Sequence, residues 1–417
     1  MKAAQRAPNF IQIGWEAARV FTPGSPLNER ELFAGRVDQV NQIVDAIIQK
    51  GYHVVLYGDR GVGKTSLSNM LVSFLEDIGQ DKLVMPRVNC DASDNYASLW
   101  TKVLRNIRVP TTRPSIGFTA SRDKNTQDAL EFLPEEQVTP DDVRRVLEEL
   151  SRDVKVVVIF DEFDRLQDDA STIMMADTIK GLSDNGVDAT IVLIGVADSV
   201  DALIGAHQSI ERNLVQVLLP RMSRAEVEQI VTKGLSKLGL RATPECLVEI
   251  SALSQGLPYV THLLGLHSSR AACTRQATLL VVEDVQKAVH TSILKWQQSV
   301  VMAYYKATLS HQPDHLFREV LAACALAVPD NAGYFAAASV RYALRVITGR
   351  PYEISNFARH LSEFTQADRG AILQQVGPSR RVRYRFESPL IKSYIIMRSV
   401  ADGRLTRSMM EQIEAGV

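Results

Sequence analysis

Gly58-Asp59-Arg60-Gly61-Val62-Gly63-Lys64-Thr65 fits the pattern Gly-x-x-x-x-Gly-Lys-Ser/Thr at every fixed position. The stretch follows a short apolar run, His53–Tyr57, that predicts a β-strand, and it leads into residues 63–78, whose pattern predicts a helix. Glycines allow main-chain N–H groups to turn toward an anion, and the start of the next helix adds its positive end. A strand, a glycine-rich turn and a helix in this order therefore predict a phosphate-binding loop.

Two side chains of this loop have expected contacts with a bound nucleotide and its metal. We expect Lys64 to reach the β- and γ-phosphates and Thr65 to bind Mg²⁺ through its hydroxyl. The rest of the cradle consists of Gly58, Asp59, Arg60, Gly61, Val62, Gly63 and Ser66. A chance glycine-rich turn is the alternative, and the predicted strand and helix on either side argue against it.

An acidic pair follows the second informative strand. Residues 154–160 form a nearly continuous apolar run rich in β-branched residues, which predicts a buried parallel strand ending at Asp161 and Glu162. Ligands bind at the carboxyl ends of parallel strands. We therefore expect Asp161 to hold Mg²⁺ and Glu162 to act as a general base on an attacking water. The alternative is a solvated acidic turn.

Length and composition describe a folded protein of more than one domain. A chain of 417 residues is too long for a single compact core, so two or three domains are expected. The formal net charge of -1 does not favour nucleic-acid binding by the molecule as a whole. Residues 291–417, however, carry 16 Lys+Arg and 10 Asp+Glu. This excess indicates either an anionic partner for the last third or a mildly basic solvated surface.

The cysteines and the apolar segments bear on the compartment. Cys90, Cys246, Cys273 and Cys324 are widely spaced and form no Cys-x-x-Cys pair, which argues against a zinc site or a disulfide framework. No apolar run approaches the ~18 residues that a membrane helix needs, and the start of the chain has no signal-peptide core. We therefore expect a cytoplasmic protein without a membrane partner.

The pattern along the chain divides it into segments. Residues 1–30 are expected to form an extended arm because Pro8, Pro23 and Pro26 interrupt any long helix. Strands then alternate with helices as far as residue 220, which predicts a doubly wound α/β core with a parallel sheet. Residues 109–138 are predicted to be an exposed, irregular insertion in it. After residue 220 the pattern is helical, and the last third shows three helices followed by two strand-like runs.

This order of motifs resembles the AAA+ superfamily of P-loop NTPases. Within it, the chain is similar to origin-recognition or initiator-type ATPases and to related prokaryotic ATPases of mobile elements and defence loci, including antiviral defence. Residues 31–36, Glu-Leu-Phe-Ala-Gly-Arg, resemble the adenine-side box of that clade, which implies nucleotide contacts for Phe33 and Arg36. The resemblance covers residues 30–290 well and the remainder more loosely. It implies an AAA+ core at 31–220, a helical lid at 221–296, a winged-helix domain at 297–417, and ATP and Mg²⁺ as cofactors.

The resemblance also implies two residues that act near the γ-phosphate. Asp198 occupies the sensor-one position, where the family usually has Asn, Ser or Thr, and a helix-capping role is the alternative. Arg212 stands where AAA+ proteins place an arginine finger that acts on a neighbouring subunit, which implies a homo-oligomer assembled through the ATP interface. Arg221 is a second candidate, and an ordinary surface arginine is the alternative for Arg212.

Residues 256–259, Gly-Leu-Pro-Tyr, depart from the initiator pattern. Tyr259 stands where initiators usually carry a sensor-two arginine, and the Gly-Leu-Pro run resembles the Gly-x-Pro motif of STAND signalling ATPases. His262 lies one helical turn further on and is either a phosphate contact or a packed core residue. This departure favours a slow switch over lid-coupled hydrolysis of the initiator kind.

The last third contains a row of arginines on the expected wing. Arg380, Arg381, Arg383 and Arg385 lie there, and residues 381, 383 and 385 of a strand face one side together. Such a row favours the phosphate backbone of double-stranded DNA. The alternatives are a protein contact and charges that protect a strand edge from aggregation.

Two functions follow from these observations. The first is an ATP-hydrolysing AAA+ ATPase whose ATP-dependent assembly acts on DNA or on a DNA-bound complex. The second is a STAND-like signalling or defence switch that gates a partner effector protein. A protein-unfolding motor is disfavoured because the sequence has no aromatic–hydrophobic–glycine pore loop.

Overall fold

The computed structural model describes residues 8–26, 30–77, 82–111, 125–134, 137–152, 154–196, 210–310, 315–330, 333–378 and 381–416. Within these ranges the α-helices are α1 Phe10–Val20, α2 Val37–Ile48, α3 Lys64–Asp77, α4 Tyr96–Arg105, α5 Pro140–Leu150, α6 Asp169–Asp184, α7 Arg224–Lys237, α8 Pro244–Ser254, α9 Pro258–Thr274, α10 Val282–Leu294, α11 Gln298–Thr308, α12 Phe317–Leu326, α13 Ala337–Thr348, α14 Ile354–Glu363, α15 Pro389–Ala401 and α16 Arg407–Ala415.

The strands of the same ranges are β1 His53–Tyr57, β2 Leu83–Val84, β3 Arg87–Asn89, β4 Arg108–Thr111, β5 Asn125–Asp128, β6 Lys155–Asp161, β7 Ala189–Gly195, β8 Leu214–Leu218, β9 Arg241–Ala242, β10 Leu279–Leu280, β11 Phe335–Ala336, β12 Leu373–Val376 and β13 Arg383–Phe386. None of the described helices is both long and apolar enough to cross a bilayer.

A parallel sheet forms the centre of the first half of the chain. Its strands lie in the order β2-β6-β7-β1-β8, and β3 also pairs with β6. Val54 of β1 stands opposite Val192 on one side and Val215 on the other, so the three strands are in register. The carboxyl ends of β1, β6 and β7 consequently lie at one edge, where ligands bind in sheets of this kind.

Both faces of this sheet are covered by helices. Side chains alternate along a strand, so Val54 and Leu56 point to one face and Val55 to the other. The first two pack into the core that contains α2 and α3, whereas Val55 packs into the core that contains α4, α5 and α6. The predicted doubly wound α/β fold is therefore confirmed.

The apolar residues of the helices after residue 220 belong to the same hydrophobic cluster as the first of these two cores. Apolar residues of α7–α10 join the cluster that covers β1, and so do those of α11–α16. Trp296 lies at the junction, with its ring centroid 5.9 Å from that of Tyr259 and 5.6 Å from that of Tyr394. In the last third, the expected helices and hairpin are present, and β11 adds a third strand in the order β11-β13-β12. Helices α11, α15 and α16 were missed by the sequence pattern.

The expectation of an extended N-terminal arm is wrong for residues 10–20, which form helix α1. The prolines lie on either side of this helix and do not interrupt it. Asn9 caps its start by accepting the N–H of Gln12 at 3.2 Å. Ala17 and Val20 are buried, so the helix is stabilised by packing that a local pattern does not reveal.

The expectation of an irregular insertion at 109–138 is wrong for residues 109–111 and 125–128, which form strands, whereas Glu131 and Phe132 are exposed as expected. Strands β4 and β5 form an antiparallel pair, and Ala129 after them is fully buried. Residues 112–124, 135 and 136 lie outside the described residues. Residues 83–89 form two short strands, β2 and β3, because Pro86 between them has no N–H to continue a ladder.

Phe21, directly after α1, fills a socket made by two glycines. A Cβ atom on Gly234 would lie 2.5 Å from the ring, and one on Gly265 would lie 2.6 Å from it. Only residues without a side chain leave room for the ring here. The N-terminal segment is thereby fixed to helices α7 and α9.

Gly265→Ala is expected to lower the free energy of unfolding by about 1–3 kcal/mol, because the new methyl group overpacks the socket of Phe21. Urea unfolding followed by circular dichroism measures this change. Gly14→Ala is the matched control, since a Cβ on this helical glycine meets no atom within 4 Å. That change is expected to stabilise by up to about 1 kcal/mol. Equal effects of the two substitutions would contradict the socket.

Candidate active site

The loop at residues 58–65 has a backbone that requires glycine. Gly58, Gly61 and Gly63 have φ values of 144°, 84° and 100°, a region that other residues rarely adopt. A Cβ on Gly58 would also lie 2.5 Å from the carbonyl oxygen of Leu219. The loop therefore has the open backbone that a phosphate group needs for close approach.

Lys64 is held inside this loop. Its Nζ donates to the carbonyl oxygens of Gly58 at 2.9 Å and of Asp59 at 2.8 Å. Burial lowers the pKa of Lys64 from 10.5 to about 8, and the carboxylates of Asp164, Asp161 and Asp59 oppose that shift. The amine is therefore mostly charged at pH 7 and lies ready for an anion.

Thr65 and Asp161 meet at the end of β6. The Thr65 hydroxyl donates to Oδ2 of Asp161 at 2.9 Å. Arg87 of β3 forms an ion pair with the same carboxylate oxygen. Among the described residues, no group of three or more His, Cys, Asp or Glu could hold a metal by itself. A cation bound by Thr65 and Asp161 would therefore need further oxygens from a ligand or from water, which is how Mg²⁺ is usually held beside phosphates.

Glu162 has an unusual backbone for its type. Its φ of 57° lies in the left-handed region, which costs an ordinary residue roughly 1–2 kcal/mol. Its side chain is 51% exposed and accepts from Arg165 Nη1 at 2.7 Å. Nearby, Asp164 accepts the N–H of Val196 at 2.8 Å and so joins the ends of β6 and β7. Glu162 and Asp164 both border a cavity that lies against the loop 58–65.

The two residues of the expected adenine-side box differ in role. Phe33 borders the cavity and packs edge-on against Phe74, with ring centroids 5.8 Å apart. Arg36 is buried, and its Nη2 donates to the carbonyl oxygen of Pro220 at 2.6 Å. The Arg36 main-chain N–H also donates to Glu226 at 3.0 Å. Arg36 thus connects the box to the start of the helical segment.

One cavity of about 1180 Å³ unites these groups. The loop 58–66, Asp161 and Glu162 form its floor, and residues 22–26 form part of its wall. Arg385 and Lys392, which belong to the last third of the chain, border the same cavity. Leu390 lies beside the loop, since a Cβ built on Gly61 would be 4.0 Å from its Cδ2. The C-terminal segment therefore closes one side of the site.

Two basic residues near the loop were not assigned to this site from the sequence. Arg221 pairs with Asp59 at 3.3 Å and donates to the carbonyl oxygen of Gln255 at 3.4 Å. It thus contacts the chain's own loop, and its candidacy as a finger for a neighbouring subunit stays a prediction. Burial lowers the pKa of Lys392 to about 8, with Arg221 lowering it and Asp59 raising it. No local motif marks either residue, because the contacts join distant parts of the chain.

Comparison with known proteins agrees with this geometry. Residues 48–204 match the family model described as AAA domain. The core has the AAA+ fold. A comparison of the sequence with curated proteins finds no match.

Solved structures of similar shape include three archaeal proteins. The ORC2 protein of Aeropyrum pernix has a TM-score of 0.49 and 15% identity, over 95% of this chain and 98% of that one. Cdc6p of Pyrobaculum aerophilum has a TM-score of 0.45 and 15% identity, over 93% and 99%. The Walker-type ATPase paby2304 of Pyrococcus abyssi has a TM-score of 0.49 and 14% identity, over 90% and 99%.

Among the predicted residues that the structure describes, Arg212, Arg381 and Arg383 do not border this cavity. Arg212 precedes β8 with its side chain 79% exposed and its guanidinium 4.0 Å from Asp184. Asp198 and Arg380 lie outside the described residues. Arg383 pairs with Asp330, and the guanidinium of Arg385 lies 4.7 Å from the ring centre of Tyr334. The predicted row of free arginines is therefore partly engaged within the molecule.

His262 is a packed residue that fixes the cavity wall. It is buried, and its Nδ1 accepts the main-chain N–H of Thr22 at 3.2 Å. Burial lowers the pKa of His262 from 6.5 to about 4. The imidazole is therefore neutral at pH 7, and it secures the segment 22–26 at the side of the cavity.

Protonation of His262 is expected to destabilise the folded chain. The unfolded chain binds the proton near pH 6.5 and the folded chain only near pH 4, so stability is full above 6.5 and falls as pH drops toward 4. At pH 4.5 the loss is expected to be about 2 kcal/mol. His262→Asn keeps an acceptor without the titration. The difference in unfolding free energy between pH 7 and pH 4.5 should shrink by that amount in the variant, and an unchanged difference would contradict the assignment.

Proposed function

We propose that this chain is an ATPase that binds ATP with Mg²⁺, hydrolyses it, and uses the nucleotide state to control the position of its C-terminal segment. The observation that carries the proposal is the shared cavity, in which the glycine loop faces Arg385 and Lys392. A ligand in this cavity contacts both the AAA+ core and the last third of the chain. The charge of such a ligand consequently acts on the glycine loop and on the basic residues of the last third.

The residues of the loop fit a nucleotide. The close contact at Gly58 leaves no room for a side chain, so the backbone stays accessible, and Lys64 supplies a buried cation. Phe33 offers an aromatic surface for a base. Thr65 and Asp161 would hold Mg²⁺, which neutralises phosphate charge when bound. Glu162 is the residue that would accept a proton from water, because its half-exposed carboxylate borders the cavity.

The nearness of the C-terminal segment to the loop favours a switch. Leu390 lies beside the loop, since a Cβ built on Gly61 would be 4.0 Å from its Cδ2, and Ser393 donates to the carbonyl oxygen of Ser254 at 3.5 Å. Gly256 is connected to the start of the helical segment, since its carbonyl oxygen accepts the N–H of Met222 at 2.9 Å. In this proposal, which includes the STAND-like reading of residues 256–258, the state of the site is passed to a partner effector protein.

Hydrogen–deuterium exchange tests the switch. A non-hydrolysable ATP analogue is expected to slow exchange in residues 385–393 of the wild type and to leave Lys64→Ala unchanged. Lys392→Gln is expected to weaken nucleotide binding, because it removes a cation beside the cavity. The matched control is Lys306→Gln on the exposed side of α11. Unchanged exchange in a protein that demonstrably binds the analogue would contradict the switch while leaving nucleotide binding intact.

Action on double-stranded DNA is the second candidate. Helices α12–α14 and the three-stranded sheet of the last third are consistent with a winged helix, and Arg381 and Arg383 are exposed beside the turn of its hairpin. Because Arg383 is paired with Asp330, fewer free charges face solvent than the sequence indicated. This candidate therefore rests on a smaller basic surface.

Salt-dependent binding to duplex DNA tests this second candidate. If the hairpin contacts phosphates, Arg381→Glu/Arg383→Glu is expected to weaken binding and reduce the salt slope by about 2. Arg359→Glu, an exposed change on α14, is the control. Equal binding by both variants would exclude the hairpin as the DNA surface.

A homo-oligomer through the ATP interface is proposed from Arg212. This side chain is exposed and does not border its own cavity, so it is free to reach the site of a neighbour. Arg212→Ala and Lys64→Ala are each expected to be inactive alone, and a mixture should regain ATP hydrolysis because each supplies what the other lacks. No recovery in a mixture that sediments as one assembly would remove Arg212 from this role.

A further inference from the structure

Asp161 has a partner that the expected metal site does not include. Arg87 lies on β3, the strand beside β6, and its Nη2 binds Oδ2 of Asp161. The hydroxyl of Thr65 donates to the same oxygen at 2.9 Å. Oδ2 of Asp161 therefore accepts from two groups at once: the hydroxyl of Thr65, which is the other expected metal ligand, and the guanidinium of Arg87.

A buried carboxylate needs such a partner. The Asp161 side chain is 5% exposed, and a buried charge without a counter-charge is strongly destabilising. Arg87 carries a permanent charge and can fulfil this role when no metal is bound. A Mg²⁺ ion held by Asp161 would carry out the same neutralisation with two charges.

The other end of the guanidinium has a second attachment. Nη1 of Arg87 donates to the side chain of Asn69 on α3. Nε of Arg87 is buried without a hydrogen-bond partner, so the contact with Asp161 does not satisfy the whole group. Asn69 can retain the side chain if the carboxylate turns to another cation.

We propose that the guanidinium of Arg87 occupies the metal site in the metal-free protein. There it holds the Asp161 side chain in place, and it competes with Mg²⁺ for the Asp161 carboxylate. This inference rests on the proposed function, because it requires that Mg²⁺ binds with the nucleotide. It makes Arg87 a positioning residue that sets how much free Mg²⁺ the site needs. Nucleotide binding then needs a higher concentration of free Mg²⁺ than it would if no cation competed for the carboxylate of Asp161.

Titration with Mg²⁺ tests the competition. The affinity for a fluorescent non-hydrolysable ATP analogue is measured as a function of free Mg²⁺ in the wild type and in Arg87→Gln. The half-saturating Mg²⁺ concentration is expected to fall about tenfold in the variant, because the metal no longer displaces a charge. The metal-free variant is expected to melt at a lower temperature than the wild type, and Mg²⁺ with the analogue should restore much of that loss.

Further variants make the outcome decisive. Arg87→Lys keeps the charge but cannot bridge Asn69 and Asp161 with a planar fork, so an intermediate shift is expected, and this variant decides the question if Arg87→Gln does not fold. Arg152→Gln, which removes an exposed arginine paired with Glu149, is expected to match the wild type. An unchanged or higher Mg²⁺ requirement in the Arg87 variants overturns the proposal. Absence of Mg²⁺-dependent binding in the wild type would instead refute the proposed function.

Discussion

Lys64→Ala is expected to weaken binding of ATP by at least about 100-fold, which corresponds to about 2.7 kcal/mol. Lys64 is the cation held inside the loop by the carbonyl oxygens of Gly58 and Asp59. Without it, the main-chain amides alone must bind the terminal phosphates, and the nearby carboxylates are no longer balanced. Isothermal titration calorimetry with ATP and Mg²⁺ measures the loss.

Lys50→Ala is the matched control for this change. Lys50 has a 64% exposed side chain that lies 3.9 Å from Asp188, on a surface pair, and such pairs contribute little to stability. Its removal is expected to leave ATP affinity within about twofold of the wild type. Unaltered ATP affinity in a folded Lys64→Ala protein would show that the glycine loop is not the nucleotide site.

Glu162→Gln is expected to lower the rate of ATP hydrolysis by about 10²–10⁴-fold while ATP affinity stays nearly constant. The amide has almost the same shape as the carboxylate but cannot accept a proton from water. The bound nucleotide should therefore remain intact in the variant. Single-turnover hydrolysis together with equilibrium binding separates the two quantities.

Glu149→Gln serves as the control, since it removes an exposed carboxylate paired with Arg152 far from the cavity. Its hydrolysis rate is expected to equal that of the wild type. If Glu162→Gln turned over ATP normally, the assignment of the general base would be wrong, and Asp164 would be the next carboxylate to examine because it also borders the cavity.

The parts of the site that could be predicted are those whose residues lie close together along the sequence or directly after a recognisable strand. The loop 58–65 carries its own glycines and lysine, so its pattern is complete within eight consecutive positions. Asp161 could be placed because it follows a buried parallel strand, and such strands end at the ligand edge. Register then brings Thr65 and Asp161 within hydrogen-bond distance.

The contacts that escaped prediction join residues that are far apart in the chain. Arg87 lies 74 residues from Asp161 along the sequence, and Arg221 lies 162 residues from Asp59. No spacing rule connects such pairs, since strand order and helix docking decide them. Helix α1 was missed for a related reason. Its stability comes from burial of Ala17 and Val20 against later helices, whereas local pattern showed only flanking prolines.

The position of Trp296 gives the molecule an optical consequence. Trp296 is 5% exposed between Tyr259, which borders the cavity, and Tyr394 of the C-terminal helix α15, whereas Trp15 is 71% exposed on the N-terminal helix. Any sliding of the two aromatic neighbours changes the polarity and quenching around the buried indole. The protein thus contains an intrinsic fluorophore where helices α9 and α15 meet, distinct from the fully buried Trp100, and a change in its emission would report the proposed switch without an attached dye.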